Sequence, residues 1–592
     1  MNPLPDHRLD CDVLVVGSGA GGLSAAVTAA FHGLSVIVAE KESVFGGTTA
    51  WSGGWLWIPR NELARRAGIE EDISGPLRYL QSELGNRAND PRIEVFLENG
   101  PEMVSFFEKH TAVEWLDGNR IPDFHETPGS ATGGRSVSAK PFDGRKLGEE
   151  INRLRRPLDI VSLAGMGIMA GADMTHFFNA TRSPRSALHV AGRLAHHIRD
   201  LAFHGRAMQL VNGNALVARL LRSALDLGVT LLESAPVYEL TRDGQRITGA
   251  VSESAGQRVV VSARCGVVLA TGGFPHDRAR IAQLFEHAPD GTGHHSAAPT
   301  GNTGDGLRLG ESAGGHVTAD VSDAGAWSPV SLVPLKGGRT ARFPHLVERA
   351  KPGIIAVSPD GRRFVNEADS YHDFMKALFA VTPAGKAHEC WLIADRRAQR
   401  RFGLGWAKPF PFPLRPYIAS GYLKTGKTIE AIARECGLPA DALKDTIETF
   451  NAQARTGEDL QFGRGKSPYN RMQGDAASRP NVSLGPLERP PYYAVRIVPG
   501  SLGTFAGLTT DGKARVLRRD GTPIAGLFAV GTDMASIFGG NYPAGGINIG
   551  PAMTFGYIAA RTMAGLTVSG IDDQAQSKEK EETYEVLRTR NA

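Results

Sequence analysis

Near the amino terminus, apolar and polar positions fall into one short unit. An unbroken apolar run, Val13–Val16, is followed by the glycine turn Gly17-Ser18-Gly19-Ala20-Gly21-Gly22, an Ala-rich stretch near Leu23–His32, and a second apolar run, Ser35–Ala39, that ends in Glu40. Short apolar runs bounded by glycine predict strands buried on both faces, so residues 12–40 predict a strand–helix–strand unit with parallel strands. From about 80 to 210 the pattern is mostly helical and charged, with turns at Gly134-Arg135 and Asp143-Gly144, and predicts an insertion lying over whatever the first unit binds. Asn214–Leu227 reads as a helix and Thr230–Glu233 as a strand. Alternating strands then turn at Asp243-Gly244 and Ala255-Gly256 and finish in Gly266-Val267-Val268-Leu269-Ala270-Thr271-Gly272-Gly273, a meander returning to the first sheet. Residues from roughly 285 to 485 carry more Pro, aromatics and polar turns, with helices at Thr428–Cys436 and Ala440–Arg455; residues 486–568 resume the strand-and-glycine texture.

Composition narrows the partners. A chain of 592 residues allows two or three large domains. Lys plus Arg number 66 against 62 Asp plus Glu, a net charge of +4 that gives no reason to expect nucleic acid. The 71 glycines follow no Gly-x-y period and therefore mark turns and loops. Cys11, Cys265, Cys390 and Cys436 are too widely spaced for a metal or redox pair and read as free thiols of a reducing cytoplasm, and no metal site is expected. The polar Met1–Cys11 segment and the absence of an apolar run of 18 residues argue against secretion and membrane spanning, so the expected location is cytoplasmic. Residues 182–206 place Arg182, Arg185, Arg193, His196, His197, Arg199, His204 and Arg206 among apolar positions, which is either a solvated helix face or a peripheral membrane contact.

The glycine turn carries the first chemistry. Gly17 suits the tight turn, Gly19 the close approach to a pyrophosphate and Gly22 the packing of helix on strand, while the helix start directs N–H groups at phosphate. Glu40, at the end of the second strand, is placed to accept ribose hydroxyls, and an acid there argues against a 2′-phosphate. A second run of small and hydroxyl residues, Gly46-Gly47-Thr48-Thr49-Ala50-Trp51-Ser52-Gly53-Gly54, follows at once, and a third element, Gly526-Leu527-Phe528-Ala529-Val530-Gly531-Thr532-Asp533, ends in an acid able to hold ribityl hydroxyls. Three such elements in this order point to FAD rather than NAD.

At these residues the chain resembles the flavoprotein superfamily of fumarate reductases and 3-ketosteroid dehydrogenases. Arg363-Phe364-Val365-Asn366-Glu367-Ala368-Asp369-Ser370-Tyr371, Pro499-Gly500-Ser501-Leu502-Gly503-Thr504 and Asn541-Tyr542-Pro543 through Phe555-Gly556-Tyr557 are similar to the 3-ketosteroid Δ1-dehydrogenase branch. The resemblance implies an α/β (α+β) fold: a Rossmann-like FAD-binding domain, discontinuous in sequence, with an inserted α+β catalytic domain capping the substrate. The expected boundaries are 1–285 for the first part of the FAD domain, with the helical insertion at about 80–210, then 286–485 for the catalytic domain, 486–568 for the second part, and 569–592 for a charged, mobile tail. It also implies that Ala20, Gly21, Lys41, Gly47, Thr48, Thr49, Ser52, Gly53, Gly54, Val237, Ala270, Thr271, Gly272, Asp305, Asn548 and Ile549 join Gly17, Gly19, Gly22, Glu40, Gly531 and Asp533 around FAD. Gly47 stands where some relatives attach the flavin through His, so the FAD is expected to be non-covalent.

Desaturation next to a ring ketone needs a group that polarises the carbonyl, a base for the α-proton, and a hydride acceptor, which the flavin supplies. The Tyr542 hydroxyl and the Gly546 N–H, four residues apart across a glycine turn, suit the carbonyl oxygen as it gains enolate charge, and the resemblance implies the same pair. Tyr371 matches the family's base. Gly550-Pro551 predicts a helix start with Pro at its first position and the positive dipole end toward the flavin. Phe124, His125 and Trp327 are the expected substrate-pocket residues. In the Δ1 branch a further tyrosine supports the base, where this chain reads Asp123-Phe124-His125-Glu126-Thr127-Pro128-Gly129; that hydroxyl is missing, and His125 is the candidate replacement. The rival is an enoate reductase of the fumarate reductase type, whose His-Thr-x-Gly-Gly and Asn-Arg are replaced here by Gly503-Thr504-Phe505-Ala506-Gly507 and Asn541-Tyr542, so a neutral carbonyl is favoured over a dicarboxylate. The expected partners are a cyclic ketone, steroid or smaller, and an electron acceptor such as a quinone.

Overall fold

Parallel pairing of the apolar runs builds the first sheet. In the computed structural model, which describes residues 7–254, 256–318 and 322–571, the strand His7–Val16 lies between Gln257–Leu269 and Val36–Ala39, parallel to both. Thr230–Leu232 extends the sheet on one side and Pro523–Ala529 on the other, again in parallel, so segments more than 500 residues apart share one layer. Val13, Leu14 and Val15 are fully buried, as strands covered on both faces require. The helix Ala20–Phe31 packs against one face together with Ile549–Met563. Gly556 makes that approach close, because a Cβ there would stand 2.5 Å from the Gly21 carbonyl oxygen. Val237–Asp243 and Arg246–Ser254 join as the expected antiparallel meander; Ala255 of its second turn, and the tail from 572, lie outside the described residues.

A second, six-stranded sheet is built from Thr340–Pro344, Gly325–Pro334, Tyr492–Thr504, Cys390–Ala394, Ile354–Val357 and Lys424–Gly426, with antiparallel pairing throughout. Two expectations are corrected here. The strand Tyr492–Thr504, counted with the returning part of the FAD domain from 486, forms the centre of this second sheet, because its 13 residues are long enough to bridge Gly325–Pro334 and Cys390–Ala394. The stretch from 80 to 210 is helical only in part: besides the helices Arg92–His110 and Pro184–His204 it contributes Trp115–Asp117 and Ser136–Ala139 to a small antiparallel sheet in which Ser136–Ala139 lies between Trp115–Asp117 and Trp55–Trp57.

The catalytic segment is pinned by a buried ion network. The Arg363 guanidinium donates to Glu367 and Asp459, and Arg464 donates to the same Glu367, with all four side chains at most 1% exposed. Glu367 also accepts from the Ala356 N–H at 3.0 Å, tying the segment to the second sheet. Three residues after this acid, Ser370 caps the helix Tyr371–Val381 by accepting from the Asp373 N–H, so Tyr371 is the first helical residue.

Candidate active site

One large cavity, about 780 Å3, runs from the glycine turn at the first sheet to the Tyr371 helix start. Its nucleotide end is made mostly of backbone. Gly17, Gly19, Ala20, Gly21, Glu40, Lys41, Gly47, Thr48, Thr49, Ser52, Gly53, Gly54, Val237, Ala270, Thr271, Gly272, Asp305, Gly531, Asn548 and Ile549 all line it. Glycines here do two jobs. A Cβ on Gly17 would fall 2.3 Å from the Ala270 carbonyl oxygen and one on Gly22 2.1 Å from that of Gly17, so these two allow chain to meet chain, and Gly22 does not reach the cavity. A Cβ on Gly19 or Gly47 would meet nothing closer than 3.6 or 3.8 Å, so these two hold space open for a ligand. The Ala20–Phe31 helix starts at Gly19 with no acidic residue in its first turn, an unneutralised helix start that suits a pyrophosphate.

Glu40 is buried at the cavity wall, its Oε2 accepting from the N–H (3.0 Å) and Oγ (2.5 Å) of Ser18 and its Oε1 from the Glu42 N–H. Burial raises its pKa against those hydrogen bonds. A carboxylate has about four acceptor sites, which leaves capacity for a sugar hydroxyl. Lys41 reaches across to Asp305 at 2.7 Å. Asp533 differs from its expected place. It is fully buried and outside the cavity wall, its carboxylate already accepting from the N–H groups of Thr271 (2.5 Å) and Gly273 (2.9 Å), so it shapes the 271–273 loop instead of facing a ligand.

The other end of the cavity is made of side chains. Tyr371, Tyr542 and Gly546 all line it, although 171 residues of chain separate the two tyrosines. Their rings meet edge to face with centroids 5.0 Å apart. Phe124 stacks on Tyr542 at 5.8 Å and touches Tyr371 edge-on, and Tyr469 closes the cluster 4.5 Å from Phe124. Asn548 donates to the Tyr542 hydroxyl at 3.0 Å. Burial raises the Tyr371 pKa well above the ordinary phenol value, with the Tyr542 phenol adding to it; burial takes Tyr542 up to about 12. Both phenols are therefore neutral at pH 7. Gly546, at φ +103°, lies where a Cβ would be 2.7 Å from the Trp55 carbonyl oxygen, so only glycine fits. Its carbonyl accepts from the N–H groups of Trp57 and Gly550, and among the described residues no acceptor takes its N–H.

The 541–546 loop is held from the insertion. The Pro543 carbonyl accepts from the Tyr79 hydroxyl at 2.6 Å and from the Phe124 N–H at 2.9 Å. Asp123, beside Phe124, accepts from Trp57 Nε1 at 2.9 Å and from Arg135 at 2.6 Å. Tyr79 and Tyr469 escaped the sequence reading, because nothing local to either residue says which way its ring points. The helix start also shifts: the helix begins at Ile549, so Pro551 is its third residue, still within the first turn where a missing N–H costs no intrahelical bond.

Two expected pocket residues lie elsewhere. His125 is outside the cavity wall, its ring bridging Glu83 (2.5 Å) and Asp373 (2.8 Å). Burial disfavours its charge, but the hydrogen bonds to Asp373 and Glu83 outweigh that and hold its pKa at about 10. A cation at neutral pH cannot replace the missing tyrosine as a proton acceptor. Trp327 is also outside the wall, donating through Nε1 to Asp323 at 2.7 Å and packing on Phe285 at 4.7 Å in the second core.

A parallel sheet with a glycine-lined dinucleotide cradle, joined to a buried tyrosine pair beside an unused backbone N–H, defines a flavoprotein oxidoreductase. The family model described as FAD binding domain matches residues 12–549. The chain belongs to this family, as a 3-ketosteroid Δ1-dehydrogenase-like member of the fumarate reductase and succinate dehydrogenase flavoprotein superfamily, and it binds FAD. It is 41% identical over 566 residues to 4-oxocyclohex-2-ene-1-carboxylate 5-dehydrogenase of Sinomonas cyclohexanicum, covering 95% of each chain. It is 37% identical to 3-oxosteroid 1-dehydrogenase of Mycolicibacterium smegmatis, covering 93% of this chain and 97% of that one. Among solved structures it is similar to 3-ketosteroid delta1-dehydrogenase from Sterolibacterium denitrificans in complex with 1,4-androstadiene-3,17-dione, with a TM-score of 0.86, 34% identity, and coverage of 94% of this chain and 99% of that one.

Proposed function

We propose that this FAD-dependent dehydrogenase desaturates the α,β carbon–carbon bond next to a ring ketone. The observation that carries the reading is the meeting of Tyr371, Tyr542 and the uncommitted Gly546 N–H at one end of the cavity. Bound FAD supplies the hydride acceptor. The Tyr542 hydroxyl and Gly546 N–H hold the ketone oxygen and stabilise its developing negative charge, an arrangement in which one donor is worth roughly 3 kcal/mol when water is excluded. Tyr371 removes the α-proton. Because burial raises its pKa, the fraction competent as a base grows as pH rises, and turnover is expected to increase toward alkaline pH. The relatives named for a cyclohexene carboxylate and for 3-oxosteroids delimit the ring ketones to test. Anaerobic mixing with at least one of them should bleach the flavin and yield one equivalent of product bearing one new ring double bond; no bleaching with any of them, or rapid turnover of fumarate with reduced viologen, would contradict the reading.

We propose further that the Pro184–His204 helix rests on an anionic membrane surface, with a quinone as electron acceptor. Leu188, Ile198, Leu201 and Phe203 are 77, 66, 40 and 78% exposed, while Ser186, Val190, His197 and Asp200 form the buried side. Arg185 and Arg199 lie exposed on the same face as these apolar residues, and the helix's one acid, Asp200, is buried against Arg145. Pairing two copies through this face would set arginines against arginines, whereas anionic lipid complements them. The helix packs on Ala172–Asn179, whose Met174, Thr175 and Phe178 line the cavity. Among the described residues no helix is long and apolar enough to cross a membrane. Flotation with anionic but not zwitterionic vesicles is expected, and its absence would remove the proposal.

A further inference from the structure

The proposed reaction leaves one buried cation of the cavity without a task. Lys351 is 8% exposed and lines the cavity together with Phe178, Tyr469, Met472 and Gln473. Its ammonium donates to the carbonyl oxygens of Gln473 (2.6 Å) and Gly474 (2.8 Å) and lies 5.7 Å from the Phe178 ring centre. Among the described residues no carboxylate stands within 4.0 Å of it. An ammonium has three donors, so two carbonyls leave one N–H to spend. Burial pushes its pKa down to about 8, with the Asp475 and Glu348 carboxylates favouring its charge and Arg401 opposing it.

One short helix links Lys351 to Tyr469. Tyr469, packed on Phe124, stands near the start of Pro468–Gln473, and the carbonyls that hold the ammonium are at the helix's end. Tyr542 and Lys351 both line this cavity, so a ring ketone held at Tyr542 lies in the same enclosed space as the ammonium.

We propose that Lys351 receives the carboxylate of a small ring ketone, so that the substrate of the desaturation is an anionic cyclohexanone or cyclohexenone. The inference rests on the function proposed above and adds the charge of its substrate. A charge-assisted hydrogen bond in a dry site rewards an anion at this point, whereas an apolar substrate end would bury the ammonium unpaired. Among the other cations of the wall, Lys41 is paired with Asp305 and Arg155 lies beside Glu42 over the Trp51 ring, both at the nucleotide end, while Arg120 is exposed and its charge is screened by water.

The test compares 4-oxocyclohex-2-ene-1-carboxylate with its methyl ester by anaerobic flavin reduction in wild-type holoenzyme, Lys351→Met, Lys351→Gln and Arg120→Met. Wild type should bind the carboxylate at least about tenfold more tightly than the ester. Both lysine variants should lose that preference through a raised half-saturating concentration, with the limiting rate of flavin reduction and the affinity for the ester little changed. Equal binding of acid and ester by wild type, a parallel loss for both ligands in the lysine variants, or loss of the preference in Arg120→Met instead, would overturn the assignment. Wild type that reduces its flavin with neither ligand, nor with a 3-oxosteroid, would contradict the desaturation itself and not merely the role of Lys351.

Discussion

The two ends of the cavity are built from different materials. At the nucleotide end the contacts come from main chain: glycines that clear space, a helix start without acids, and one carboxylate at a strand end. At the ketone end they come from four aromatic side chains on segments around 124, 371, 469 and 542, held from behind by hydrogen bonds to the Pro543 carbonyl. A cradle of backbone is sensitive to any added atom and indifferent to titration. A cluster of phenols keeps its shape when an oxygen is removed, but loses its chemistry. Changes at one end should therefore spare the other.

The largest effect is expected at the backbone end. Gly19→Val puts a side chain where a Cβ would meet nothing closer than the Thr49 hydroxyl at 3.6 Å, and at ordinary helix-cap backbone angles, so it should abolish FAD binding and all turnover while the apoprotein melts within a few degrees of wild type. Gly22→Ala is the contrasting control, since its Cβ would strike the Gly17 carbonyl oxygen and should lower stability itself. FAD content by absorbance and thermal melts separate the two. Tyr371→Phe comes next. Loss of a general base costs about 10²–10⁴ in rate, with FAD content and ligand-induced spectral shifts retained. Tyr542→Phe should cost about 10²–10³ in the rate of flavin reduction, because one oxyanion donor, the Gly546 N–H, remains.

The smallest effect concerns stability. The folded-state pKa of His125, about 10, lies above the ordinary 6.5, so its ion pairs with Glu83 and Asp373 contribute stability that is fully present below pH 6.5 and is lost as pH rises through about 10. His125→Gln should lower the melting temperature by a few degrees at pH 6 and by progressively less toward pH 10. A difference that does not vary with pH would mean that the ring contributes packing only.

This division also explains what was legible in the sequence. Backbone sites are written locally: strand, glycine turn, helix and terminal acid sit within residues 12–40, and nearly every expected cofactor residue lines the cavity. Tyr371 and Tyr542 were found through motif resemblance, since no spacing rule joins residues 171 apart. Where reasoning was purely local and concerned a side chain, it went astray. His125 follows Phe124 in the chain but turns to Glu83 and Asp373, Trp327 turns into the second core, and Asp533 spends its carboxylate on loop N–H groups. Lys351 and Tyr469 carried no local signal, because their meaning comes from the cavity both line and from the helix Pro468–Gln473, which holds Tyr469 near its start and the ammonium at its end. The strand Tyr492–Thr504 was assigned to the wrong sheet for a related reason: its apolar pattern says that it is buried, and partner choice is a tertiary decision.

The central claim is that the tyrosine end performs α-proton removal coupled to hydride transfer from a ring ketone. It is tested most directly by anaerobic single-turnover flavin reduction with 4-oxocyclohex-2-ene-1-carboxylate and with a 3-oxosteroid, in wild type and in Tyr371→Phe at matched FAD content. Rapid bleaching in wild type with one equivalent of product bearing a new ring double bond, faster as pH rises, and its suppression in the variant despite an unchanged ligand-induced spectral shift, is the result expected. Flavin reduction in Tyr371→Phe at the wild-type rate would contradict it.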